Sequence, residues 1–401
     1  MKKVLSVLVL FLIVSITADA QRKAPVLKWK FLVPGAVIAS PVIDGEVVYF
    51  SSLDKNLYAV NLQTGKQLWK FATMGENRSA PLIAGQQLYF LSGDGNVYCL
   101  DKNTAKVNWT FKTGGERKYE LFAFADHIHS SPVLDGDVLY FGSGDNNIYA
   151  LNAKTGQALW SFKTGDVVHA TPVIKNNNLL VGSFDGYFYN LDKHSGKLIW
   201  KFKSVGQRYF PKGEFSGQPA MRGNTVYVGS RDFNLYAINI KTGACNWNHY
   251  FTHGWSVAKP QFYKNLVINT TMDERVVAAI DTGNGAIAWR TPLQFDMFGA
   301  CLVSDSTGYA GTLNGNLLAI DLNSGNILWN YQTDARQKFF DQYFTKDEQF
   351  NDTSFALLGK DLGAQVQIFH KVGGIFSQPA KKDNLLVFSS SEGVVYCLAA
   401  E

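Results

Sequence analysis

Charge is scarce in this 401-residue chain. Asp, Glu, Lys and Arg make up 18% of it, and the formal net charge is +5. No dense basic run stands out, which argues against nucleic-acid binding. Cysteine is scarce too. Cys99, Cys245, Cys301 and Cys397 lie far apart and none forms a CxxC, so the spacing of a zinc ribbon or a thioredoxin-like motif is missing. Their hydrophobic settings ("VYCL" twice) make buried free thiols the expectation, with disulfides the alternative for an exported chain. No GxSxG, HExxH or P-loop occurs. Nothing sets up a nucleophile with its base, and no catalytic residue is assigned. Proline is sparse at 11 positions, whereas glycine (36) and aromatics (14%) are plentiful. That mixture suits a β-rich globular protein with many tight turns.

The first twenty residues stand apart. A basic "MKK" precedes the apolar "VLSVLVLFLIVSI", and "ADA" supplies small residues at Ala18 and Ala20. This pattern predicts a secretory signal peptide over 1–20, with the mature chain starting near Gln21. The apolar run is short for a full span of ~20 residues. No Cys follows it, so no lipid anchor is expected, and there is no second candidate membrane segment.

What the sequence has in abundance is repetition. "YAVNLQTGKQLW", "YCLDKNTAKVNW", "YALNAKTGQALW", "YNLDKHSGKLIW", "YAINIKTGACNW", "VAAIDTGNGAIAW" and "LAIDLNSGNILW" are seven copies of one phrase. Upstream of each lies a second phrase, as in "ASPVIDGEVVYFSS"; the copies "AKPQFYKNLVINT" and "GACLVSDSTGYAGT" are degenerate. Each unit holds four short runs of β type, punctuated by Gly, Asn and Asp where turns need them. Four antiparallel strands every ~40 residues predict the blades of a β-propeller. The final unit, ending "EGVVYCLAAE", lacks its Trp-bearing strand, and "APVLKWKF" near the start is a spare one. The two complete each other. The expected fold is all-β: an eight-bladed propeller over 21–401, closed by the N-terminal strand, with a long insertion at about 336–375. Trp29, Trp69, Trp109, Trp160, Trp200, Trp247, Trp289 and Trp329 would dock one blade on the next. Seven blades with a decorated end is the alternative. Closure would leave little sheet edge for a partner strand to extend.

The phrase A-x-D-x-x-T/S-G-x-x-x-W resembles the tryptophan-docking motif of the pyrroloquinoline quinone (PQQ) repeat family. Ala59, Asn61, Thr64, Gly65 and Trp69 fit it, as do Ala319, Asp321, Ser324, Gly325 and Trp329. That family includes exported eight-bladed outer-membrane assembly factors that work through protein contacts. The resemblance therefore implies a non-catalytic scaffold of the periplasm or cell envelope. It also includes quinoprotein dehydrogenases, the alternative. Many of those carry adjacent cysteines and a calcium triad, and neither maps onto this chain. The expected cofactor is none, with PQQ and Ca²⁺ belonging to the alternative. A periplasmic sensor or sugar-binding propeller is a further reading.

Three stretches lengthen the repeat: 116–128, 207–216 and the region 336–375. All fall at fourth-to-first-strand connections, so they rise from one face. Insertions in a repeat array commonly mark the binding side; neutral drift of surface loops is the alternative. Envelope protein partners are expected on that face, with the chain itself a monomer. Small residues precede each first strand, as expected beside a narrow axis. One position earlier stand Arg78, His129, His169, Phe298 and Phe376. With Trp255 they form a candidate aromatic and basic rim for a planar or sugar-like ligand. Packing beneath the inserted loops is the alternative. His129 and His169 occupy equivalent positions in adjacent blades. With no carboxylate at a matching position, ordinary hydrogen-bonded histidines are expected there and no metal.

Overall fold

The computed structural model describes residues 24–117, 129–361 and 363–400. The expected leader and most of the 116–128 stretch lie outside the described residues. Eight antiparallel sheets of four strands each follow one another around a ring, an eight-bladed propeller. Blade 1 comprises Val42–Asp44, Val47–Ser51, Asn56–Asn61 and Gln67–Ala72. The same strand lengths recur through blade 7, including the two degenerate copies, which build regular blades 6 and 7.

The radial layout explains the sequence pattern. The second and third strands are sandwiched between neighbouring blades on both faces, so "VYFS" in Val47–Ser51 and "LYAV" in Asn56–Asn61 are buried without alternation. The fourth strand, such as Gln67–Ala72, lies outermost and is largely exposed. Position explains the cysteines as well. Cys99, Cys301 and Cys397 are buried free thiols, but Cys245 is exposed, because it opens an outermost strand. The expectation of burial fails there.

Seven of the eight docking tryptophans face Ala or Cys on the neighbouring strand of their own sheet, as Trp69 faces Ala59, while Trp200 faces Asn190. In seven of the eight the indole N–H crosses to the next blade. Trp29 donates to the Leu62 carbonyl at 2.7 Å, Trp69 to Lys102 at 2.9 Å and Trp109 to Ala153 at 2.9 Å. The same bond recurs from Trp160, Trp200, Trp247 and Trp289. The Thr-Gly turn is built to receive that ring. Asn61 Oδ1 accepts from the backbone and hydroxyl of Thr64, both at 2.9 Å. Gly65 follows at φ 67°, where a Cβ would lie 2.7 Å from the Trp29 ring. The glycine therefore serves the preceding blade's tryptophan as much as its own turn.

The last blade joins both chain ends. Val26–Leu32 pairs with Val394–Ala399, which continues to Leu385–Ser390 and Ala380–Lys382. The closure removes any gap between first and last blade. It does not seal the sheets: each keeps its outermost strand as an edge, contrary to the expectation that little edge would remain. The long insertion is helical, with α1 (Asp334–Tyr343), α2 (Asp352–Leu358) and α3 (Ala364–Lys371). No helix among the described residues is long and apolar enough to cross a membrane.

Candidate functional site

The residue before each first strand's Pro, or its equivalent, builds the wall of an axial cavity of about 430 Å³. Around the ring these are Ser40, Ala80, Ser131, Thr171, Gln218, Lys259, Ala300 and Gln378, and all line it. Their hydroxyls tie neighbouring blades together. Ser131 Oγ accepts from Ala80 N and Thr171 Oγ1 from Ser131 N, each at 2.9 Å. One residue earlier the chain is small because the strands crowd. A Cβ on Gly217 would meet the Val257 carbonyl at 2.1 Å.

Above this wall the candidate rim is roofed over rather than open. Arg78, His129, His169, Trp255, Phe298 and Phe376 are all buried. One apolar cluster unites Trp255, Phe298 and Phe376 with Phe210 from the 207–216 insertion and with Phe344 and Phe369 from the helical one. The two described insertions thus converge on one face and close the mouth. Within this layer the six residues have different immediate neighbours. Phe298 and Phe376 meet at 6.1 Å. Trp255 packs against Phe210 with ring centroids 4.9 Å apart and the planes tilted by 55°. Arg78 turns to Glu76, 2.6 Å away. His129 and His169 lie ring to ring at 4.8 Å. Of the six, His169, Phe298 and Phe376 border the cavity.

The two histidines have a third companion. Glu116, on the connection leaving blade 2, brings Oε2 to 3.9 Å from His129 Nδ1 and 3.7 Å from His169 Nε2. Its carboxylate accepts from Ser143 Oγ at 2.8 Å and from the Gly144 N–H at 3.0 Å. Burial pushes its pKa up to about 7, against those hydrogen bonds and the pull of His169. Register could not reveal this residue, because it lies in a connection rather than at a repeat position. Two cationic groups also escaped notice. Lys259, the one cation in the eight-membered ring, has its pKa lowered by burial. It stands at a repeat position and was legible there. Arg231 lies against two rings, 4.7 Å from Phe184 and 5.0 Å from Trp255, in the cation–π range.

A family model described as outer membrane protein assembly factor BamB matches residues 23–121, 123–254 and 189–347. A curated relative, the outer membrane protein assembly factor BamB of Moranella endobia (strain PCIT), is 27% identical over 121 residues. That alignment covers 29% of this chain and 31% of the relative, so the chain matches about a third of its length. Among solved structures, BamB from Moraxella catarrhalis has a TM-score of 0.71 at 14% identity, over 94% of this chain and 100% of that one. The quinohemoprotein alcohol dehydrogenase from Comamonas testosteroni has a TM-score of 0.68 at 13% identity, over 93% of this chain and 76% of that one. At such identities the two structural likenesses establish a shared fold and nothing about function.

Proposed function

The chain belongs to the family described as outer membrane protein assembly factor BamB, and we propose on that footing that it is an exported, non-catalytic scaffold acting in outer-membrane protein assembly. It would hold envelope protein partners on the face that carries the insertions. The supporting observation is where the large apolar side chains are left in solvent on that face. Val205 and Tyr209 on the 204–219 connection and Phe355 on α2 are each more than 60% exposed. Interface cores favour such aromatic and aliphatic anchors.

The dehydrogenase alternative asks for a quinone held with calcium. Calcium takes six to eight oxygen ligands, carboxylates prominent among them. Among the described residues lining the axial cavity there is no carboxylate for calcium, and the mouth above is filled by Phe298, Phe376 and their neighbours.

Photo-crosslinking in cells tests the scaffold reading. A photoreactive residue at Phe355 or Tyr209 should capture envelope proteins of the barrel-assembly apparatus. One at Gln63, exposed on the opposite face, should not. Equal capture from Gln63, or none from either insertion, would overturn the proposal. A rise in melting temperature on adding PQQ with Ca²⁺ would overturn its non-catalytic half.

A further inference from the structure

The Glu116, His129 and His169 cluster carries chemistry that scaffolding does not use. All three side chains are buried, with 3–5% exposure for Glu116 and His129 and 1% for His169. Their donor atoms lie within 4.8 Å of one another. The two Glu–His separations, 3.7 and 3.9 Å, are too long for direct hydrogen bonds. They approach the separation of two ligands on one ion. With bonds of about 2.0–2.2 Å, tetrahedral partners stand roughly 3.3–3.6 Å apart, so the Glu–His pairs need to close by a few tenths of an ångström and the two histidine nitrogens, within 4.8 Å of each other, by up to about 1.2–1.5 Å, a movement that side-chain rotation supplies.

We propose that Glu116 Oε2, His129 Nδ1 and His169 Nε2 form a binding site for a divalent metal of borderline character, Zn²⁺ being the best match. Two imidazoles and one carboxylate are a zinc donor set. The carboxylate is already oriented. Ser143 Oγ holds Oε1, and the Gly144 N–H fixes Oε2, the outer-shell support that ligating carboxylates need. The histidines are placed by the fold, since they hold the same register in blades 3 and 4. Three protein donors leave a fourth position, as in zinc sites that exchange a ligand. His169 also borders the axial cavity, so water or a small anion from that cavity could complete the shell. The metal would pin the connection leaving blade 2 to blades 3 and 4.

The test uses the full folded chain without an affinity tag, stripped with chelator and titrated with Zn²⁺ by calorimetry and with Co²⁺ by visible absorption. One equivalent of Zn²⁺ should bind, and Co²⁺ should show the intense d–d bands of a four-coordinate site. Glu116→Gln and His169→Ala should each weaken Zn²⁺ binding by about 100-fold or more. Ser143→Ala, which touches only the support, should weaken it about 10- to 100-fold. His194→Ala, at an exposed position, should leave it unchanged. Circular dichroism confirms that each variant is folded. If Ser143→Ala alone remains folded, its affinity decides the matter. Absence of saturable binding, or an affinity the folded variants do not alter, would overturn the site.

Discussion

Trp29 and Cys397 stand opposite each other on neighbouring strands of one sheet, although they lie near opposite ends of the chain. This is the seam of the ring. Trp29 also crosses to blade 1, where its indole donates to Leu62 and lies on Gly65. One side chain therefore holds the last sheet to itself and to the first. Trp29→Ala should lower stability by about 3–5 kcal/mol, as for other buried Trp truncations. Deleting α2, which lies outside the ring, should cost less. Denaturant midpoints measure both, and equal losses would show that the seam is not special.

The second copy of the repeat breaks the Thr-Gly rule. Its turn reads "NTAK", with Ala105 at φ 59°. The Ala105 N–H bonds the Asp101 carbonyl at 2.9 Å, just as Gly65 bonds Asn61 at 2.8 Å. A left-handed alanine costs roughly 1–2 kcal/mol, offset in part by glycine's greater unfolded-state freedom. Ala105→Gly should thus stabilise by about 0.5–1 kcal/mol. Gly65→Ala should destabilise by more, since its Cβ would also strike the Trp29 ring. A stabilising Gly65→Ala would refute the docking account.

Repetition made the ring legible. Eight tryptophans, a spare first strand and a missing last one led to the observed closure. Two things resisted. The helices of the insertion left no periodic mark in a chain otherwise read at a period of forty. They are short, and α1 packs on the apolar cluster through only Phe339, Phe340 and Tyr343. Glu116 resisted because a connection can bring any residue over the axis, and only its path in space sets it beside His129 and His169. The candidate rim residues lie buried beneath the insertions, in keeping with the packing alternative, and the volume those insertions fill is not written in their length.

Acid should loosen the insertion through His370. This side chain, on α3, meets Phe376 edge-on at 5.8 Å. Burial and the nearby Arg78 push its pKa down to about 4, with Glu76 acting weakly the other way. The unfolded chain protonates it near 6.5. Its contribution is therefore complete above about pH 6.5 and is lost as pH falls toward 4. Allowing for partial exposure, the loss is about 1–2 kcal/mol. Hydrogen exchange over 363–371 should quicken between pH 6.5 and 4.5, relative to its intrinsic rate, and His370→Gln should flatten that response. Glu116 titrates in the opposite sense but is common to both proteins. An unchanged pH response in the variant would rule out His370 as the cause.

Arg336 anchors the same insertion from its other end. Its guanidinium donates to Glu348 at 2.5 Å and to the Asn314 carbonyl at 2.9 Å, and it covers the Phe340 ring at 4.0 Å. Asn314 Nδ2 donates in turn to the second oxygen of Glu348 at 2.6 Å. The network joins α1, the turn after it and blade 7. Arg336→Ala would leave the Glu348 carboxylate buried without its cation, a loss of about 3–5 kcal/mol. Arg336→Met with Glu348→Gln removes both charges and should cost much less. The damage should stay local, because the seam at Trp29 and the docking tryptophans are untouched. Limited proteolysis should therefore cut within 334–371 in Arg336→Ala while the blades persist, and the double variant should resist. Cleavage at equal rates in all three proteins would show that the pair does not hold the insertion down.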